Sequence, residues 1–286
     1  MALPLIVGFD GSALSLAAAE WAATEATLTG APVRLAHDHW PYREDTPVPE
    51  AYMRLRDEAA ALLARTVSDL RCRHPGVQVD WELLPGEAPT QLLDAAEDGS
   101  TLVLGSRGTG GFTGLLLGST ALEVAGHAAH PVVLVRDRVA PRSLCHEVVL
   151  GLELETGQVQ APVVEYALAE AEHRSMPLRV VHAWQPPFWR SVGPIPPSEA
   201  ERRAFHEDAT ERLRELVLPS AEKHPDVKLH FDVRPGSAAH VLVDAARDCD
   251  LLVLGRRRHR AVSALGPTAH AAIHYGHNPT AIVPYP

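Results

Sequence analysis

Residues 101–119 run Thr101-Leu102-Val103-Leu104-Gly105-Ser106-Arg107-Gly108, then Thr109-Gly110-Gly111-Phe112-Thr113-Gly114-Leu115-Leu116-Leu117, then Gly118-Ser119. A short, continuously apolar run breaks into a glycine-rich loop, and the loop ends where a helix can begin. The apolar run suits a strand buried on both faces, which points to a parallel sheet. Glycines let a backbone approach an anion closely and aim its N–H groups at it. Gly118-Ser119 stands at the helix start, where unsatisfied N–H groups and the helix dipole favour phosphate. The Ser119 hydroxyl can donate one further bond. In a doubly wound sheet, ligands sit beyond the carboxyl ends of the strands, which is where this loop falls.

Two rival nucleotide motifs fail. No Gly-Lys-Ser/Thr triplet occurs, so there is no Walker P-loop. A dinucleotide fingerprint belongs after the first strand, and here Gly108 and Gly110 are followed by Thr113 in place of the third glycine.

Working outward, the first half reads as strands at 3–9, 33–36, 77–84, 101–104 and 132–135. Ser12 or Ser15 caps a first helix that runs to Thr29 and stops at Gly30. Pro89-Thr90 open a short helix through Ala96, and Ser119-Thr120 begin another that ends before His130-Pro131. Asp10-Gly11-Ser12 follows the first strand and is the second loop able to reach the ligand crevice.

The chain then repeats itself. Leu102-Val103-Leu104-Gly105 returns as Leu252-Val253-Leu254-Gly255, and Leu93-Asp94-Ala95-Ala96 as Val243-Asp244-Ala245-Ala246. Pro85-Gly86 returns as Pro235-Gly236, and Val7-Gly8-Phe9-Asp10 is answered by Leu150-Gly151-Leu152-Glu153. The order is kept throughout. The expected fold class is α/β: two tandem Rossmann-like doubly wound domains, 1–138 and 143–286, joined through Asp137-Arg138-Val139-Ala140-Pro141-Arg142. Each holds a five-stranded parallel sheet flanked by four helices.

These features resemble the universal stress protein family. Its nucleotide-binding members carry Gly-x-x-Gly, nine residues, then Gly-Ser/Thr after the fourth strand; Gly105, Gly108, the nine residues 109–117 and Gly118-Ser119 match it. The family also has an Asp after the first strand, here Asp10, and a second strand ending near a His, here His37. The resemblance implies that Asp10 and the backbone near Asp38 hold the adenine and ribose end of ATP or another adenine nucleotide. It places Gly105 by the ribose, and Gly108, Gly118, Ser119 and Thr120 on the phosphates, with Arg107 in the same loop. Mg²⁺ or Mn²⁺ would ride on those phosphates, not in a protein cage. Family members commonly have an apolar residue where Asp38 stands; a carboxylate beside a purine either accepts from its amino group or weakens binding.

The implied role is a stress-response sensor or regulated scaffold whose occupancy orders the loop 105–118. The alternatives are a slow ATPase, for which the motif supplies no obvious base, and an interaction module indifferent to nucleotide. By the same resemblance the last strands of the two halves, 131–136 and 279–284, are expected to pair as an intramolecular pseudo-dimer that can dimerise again.

In the second half Gly255 survives but Arg258 stands in place of the next glycine. Only seven residues, 259–265, precede Gly266, and Pro267 replaces the serine. Proline has neither N–H nor hydroxyl, so two phosphate donors are lost. Glu153 replaces Asp10. The cluster Arg256-Arg257-Arg258-His259-Arg260 keeps a positive charge that could hold another anion, but the simpler reading is a solvated loop.

The bulk composition narrows the classes. A net charge of −10 opposes a nucleic-acid partner, and no apolar run approaches a membrane span. Cys72, Cys145 and Cys249 lie far apart and form no CxxC pair, so a cytoplasmic, reducing setting is expected, with neither a disulfide framework nor a zinc site. The pairs His37/His39 and His127/His130 have metal-like spacing without further ligands and read as surface or packing residues. Trp21, Trp81 and Trp184, and the Pro-rich loops 40–49 and 185–197, read as core, interface or packing.

Overall fold

The computed structural model describes residues 3–39, 50–96, 100–108, 117–136, 146–154, 160–184, 198–258 and 265–286, without the side chain of His39. The loops 40–49 and 185–197, residues 109–116 of the glycine loop, the joint 137–142, Cys145, His259 and Arg260 therefore lie outside the described residues. The chain divides into two compact units, Met1–Val139 and Ala140–Pro286.

The first unit runs β1 (Leu5–Gly8), α1 (Ala13–Thr29), β2 (Val33–His39), α2 (Glu50–Arg73), β3 (Val79–Pro85), α3 (Ala88–Ala95), β4 (Thr101–Gly105), α4 (Ser119–His127) and β5 (Val132–Val135). Its strands are parallel in the order β3-β2-β1-β4-β5. Ile6, Val7, Leu35, Leu102, Val103 and Val133 are wholly buried, as strands covered on both faces require. From β1 the chain winds one way to β3, then returns to the other side of β1 for β4 and β5. The strand order therefore reverses between β1 and β4, which leaves a crevice beyond their ends.

Helix α1 shows how composition sets the packing. Ser12 caps it by accepting from the Ser15 N–H, and Gly30 ends it in the left-handed region at φ 71°. Ala18, Ala19, Ala22 and Ala23 are fully buried, so the helix lies very near the sheet. A Cβ on Gly105 would stand 2.8 Å from the Leu14 backbone.

Several strand boundaries differ from the sequence reading: β3 spans Val79–Pro85 where 77–84 was expected, and β4 runs one residue further, to Gly105. β2 continues past the apolar stretch 33–36 because Asp38 and His39 still pair with Leu84 and Pro85 of β3. β1 is shorter than 3–9, starting at Leu5, opposite Val33 and Thr101. Backbone pairing sets these ends, not hydropathy.

The second unit repeats the pattern: β6 (Val148–Gly151), α5 (Ala161–His173), β7 (Leu178–Trp184), α6 (Glu199–Ala221), β8 (Leu229–Pro235), α7 (Ala238–Ala245), β9 (Leu251–Arg257), α8 (Pro267–Tyr275) and β10 (Thr280–Tyr285). Its strands are parallel in the equivalent order β8-β7-β6-β9-β10. Among the described residues, each unit thus has the five parallel strands and four helices read from the sequence. No helix among them is long and apolar enough to cross a membrane.

Candidate functional site

A cavity of about 480 Å³ opens at the reversal point of the first unit. Asp10, Asp38, Gly105, Arg107, Gly108, Gly118, Ser119 and Thr120 all line it. Residues dispersed over four segments of sequence therefore meet at one place.

Local bonds position each of them. The Asp10 carboxylate accepts from the Ser12 N–H at 3.0 Å, which ties the loop after β1 to the start of α1. Its other oxygen faces Gly108, where a Cβ would come within 2.5 Å of Asp10 Oδ2. A side chain there would push the Asp10 carboxylate aside. The Ser106 N–H donates to the Val135 carbonyl and the Gly118 N–H to the Ser106 carbonyl, both at 2.8 Å. This pair of bonds closes the neck of the glycine loop and uses the Gly118 N–H. Gly118 is the N-cap of α4 and brings no side chain to cap it. First-turn N–H groups have no acceptor within their own helix, so those of Ser119, Thr120 and Ala121 open on the cavity.

Gly105 has a different reason to be glycine. Its missing side chain makes room for Leu14 of α1, not for anything in the cavity.

The apolar side of the cavity was not singled out from the sequence. Phe9, Ala36, Ala88, Leu92, Leu104 and Leu117 line it beside the polar residues. Their signal was available only in part, since apolar residues at strand ends and on α3 look like ordinary core. His37 also has a defined task. Its half-buried ring donates through Nδ1 to the Phe9 carbonyl at 2.5 Å and so holds the peptide that leads into Asp10. In the second unit the buried His182 donates in the same way to the Leu152 carbonyl at 2.9 Å. Matching Leu35-Ala36-His37 to Val180-Val181-His182 in the repeat would have exposed this duplicated tie.

Of the described tryptophans, Trp21, Trp81 and Trp184, none lines the cavity. Trp184 stacks on Phe205 with ring centroids 5.2 Å apart. Trp81 is 39% exposed and borders a separate hollow of about 660 Å³ with Arg71 and Cys72.

The model of the universal stress protein family matches residues 1–136 and again 154–284. The chain belongs to the universal stress protein family. A universal stress protein of Mycolicibacterium smegmatis is 31% identical over 259 residues, which cover 88% of this chain and 86% of that one. One from Mycobacterium tuberculosis is 29% identical over 268 residues, 93% of this chain and 90% of its own length. A universal stress protein from Archaeoglobus fulgidus superimposes with a TM-score of 0.70 at 16% identity, covering 98% of this chain and 96% of that chain, and so shares the fold.

The second universal stress protein unit treats the same place differently. β9 and β10 stay paired through Arg256–Pro284 and Arg257–Tyr285, whereas β4 and β5 part after Gly105–Val135. The Arg258 N–H then donates to the Tyr285 carbonyl at 2.8 Å. The expected solvated arginine loop is thus corrected: Arg256 and Arg257 belong to a strand, and Arg256 is buried. Burial, and then the nearby Arg258 charge, hold its guanidinium below the usual value.

Gly255 matches Gly105 in sequence but faces the Tyr285 ring, which would lie 2.8 Å from an added Cβ. Tyr285 is buried, and its phenol is pushed up by that burial and by the Glu153 carboxylate. The Glu153 carbonyl accepts from Gln160 Nε2 at 2.7 Å. α8 begins at Gly266 with Pro267 in its first turn.

Proposed function

We propose that the first unit binds one adenine nucleotide per chain, with ATP the foremost candidate, and that occupancy lets the protein act as a stress-response sensor or regulated scaffold. The observation that carries this reading is one cavity lined by Gly105, Gly108, Gly118 and Ser119, the fixed positions of the motif, together with the uncapped start of α4. The donors present suit a polyanion: first-turn N–H groups, the Ser119 and Thr120 hydroxyls and the Arg107 guanidinium. The apolar wall of Phe9, Ala36, Ala88 and Leu92 suits the face of a base, with Asp10 and Asp38 as acceptors for ribose hydroxyls or an exocyclic amine. Gly105 contributes backbone beside the ribose. A Mg²⁺ or Mn²⁺ ion would be carried by the phosphates, where it neutralises their charge.

Occupancy is tested by measuring the nucleotide released on denaturing freshly purified protein, followed by calorimetric titration of ATP with Mg²⁺. One nucleotide per chain, lost in Gly118→Val, is the expected result. No binding by the unaltered protein would sink the proposal, and two per chain would refute the restriction to one unit.

A further inference from the structure

Helix α8 buries Ala269, Ala272 and Ile273 in the second unit and carries two imidazoles toward its outer side. His270 is exposed and His274 half-buried. Four residues apart on a helix, they stand one turn above the other on the same face. Their rings stack, with centroids 4.2 Å apart and planes inclined by 29°. A cation held by two imidazoles at bond lengths of about 2.0–2.1 Å needs their nitrogens about 3 Å apart. Rings already this close reach that spacing by small rotations about their own side-chain bonds. Helix-borne zinc sites draw two ligands from the same i,i+4 spacing.

Other histidines are engaged elsewhere. His37 and His182 hold the Phe9 and Leu152 carbonyls, His127 meets the Glu123 carbonyl, and His74 and His224 pair with Glu20 and Glu172. With α4 and α8 aligned on their N-caps, Gly118 and Gly266, the first unit has Leu122 and Gly126 where α8 has the two histidines. The pair therefore belongs to the second unit alone. Among the described residues no group of three histidine, cysteine or carboxylate ligands forms, so water completes the shell. The arrangement is an open two-ligand site, unlike the closed zinc site that the cysteine spacing argues against.

We infer that His270 and His274 form a bidentate site for a divalent transition-metal ion, with Cu²⁺ held more tightly than Ni²⁺ or Zn²⁺. Imidazole nitrogens suit these ions, whereas Mg²⁺ prefers oxygen, so the site is independent of any metal carried by a nucleotide in the first unit.

The test is calorimetric titration of the full chain with Cu²⁺ and with Ni²⁺, without a histidine tag and without nucleotide. The chain has 16 histidines, so the decisive readout is the response to substitution. His270→Ala and His274→Ala should each weaken the tightest site by at least about tenfold, because each leaves a single ligand. Alanine favours the helix at an exposed position, so His270→Ala should keep the fold. Pulsed electron paramagnetic resonance of the Cu²⁺ complex should show two bound imidazoles in the unaltered protein and one in His270→Ala. Ni²⁺ should raise the urea midpoint of the unaltered protein and not of either variant. Absence of a tight ion, an affinity unchanged by either substitution or lowered by only one, or a single imidazole on the copper of the unaltered protein would each overturn the inference.

Discussion

The two units use the same five strands and four helices and differ where β4 and β9 end. In the first unit β4 and β5 separate after Gly105 and Val135, and the chain turns into a loop whose neck is closed by Gly118. In the second, β9 and β10 continue as a paired ladder, and the Tyr285 ring lies against Gly255. A ladder satisfies its own backbone N–H and carbonyl groups, so it has none to offer a ligand. A duplicated domain can therefore lose this kind of site by lengthening two strands, with its core intact. The comparison also separates two reasons for glycine. A Cβ on Gly105 or Gly255 would meet helix backbone or a tyrosine ring, whereas one on Gly108 would meet the Asp10 carboxylate at the cavity.

The comparison can be broken in several places. Gly118→Val should abolish nucleotide binding, because its side chain would enter the cavity beside Arg107 and Gly108. Gly266→Val, which meets nothing within 4 Å among the described residues, should leave the calorimetric stoichiometry untouched. Equal effects of the two would contradict the difference drawn between the units. Gly105→Val should destabilise the first unit by about 3 kcal/mol in urea unfolding, since the Leu14 backbone cannot yield as a side chain can. A loss within experimental error would mean that α1 is free to move away.

Tyr285→Ala should cost about 3 kcal/mol by emptying a buried space. It should not raise nucleotide stoichiometry, because Pro267 still lacks an N–H at the start of α8. A second bound nucleotide in that variant would show that the tyrosine alone closes the site. Removing the histidine ties should cost less: about 1 kcal/mol for His37→Leu and somewhat more for the fully buried His182→Leu, read by chemical denaturation. A neutral result for His182 would remove the tie from the account.

The smallest effect concerns the cap of α6. The Ser198 hydroxyl and N–H both donate to the Glu201 carboxylate, at 2.7 and 2.8 Å, and hold it below its ordinary value. A depressed carboxyl stabilises the fold above its unfolded value, and that contribution is lost as pH falls through the folded value. The destabilisation by Ser198→Ala should therefore shrink in acid. A cost that stays constant from about pH 3 to pH 7 would refute this coupling.

Much of this was legible in the residues themselves. The apolar runs, the Ser12 and Gly30 caps and the internal repeat announce two parallel α/β domains, because strand burial and helix capping depend on neighbours along the chain. The motif spacing singles out Gly105, Gly108, Gly118 and Ser119. What stayed hidden depends on partners distant in sequence. His37 shows its purpose only opposite the Phe9 carbonyl, and Arg256 reads as a loop residue until β10 is seen to accompany it.

The sequence by itself determined the duplication, the fold class and the presence of a phosphate-type loop in one half, since each is written in local order and spacing. The tertiary structure alone decided that eight residues from the loop after β1, from β2, from the glycine loop with the end of β4, and from the start of α4 share one cavity. It also decided that β9 and β10 run on as a pair past Gly255, with the Tyr285 ring against that glycine. The physical reason is strand pairing: where two parallel strands part, backbone groups become available, and that point is set by the register between segments far apart in the chain.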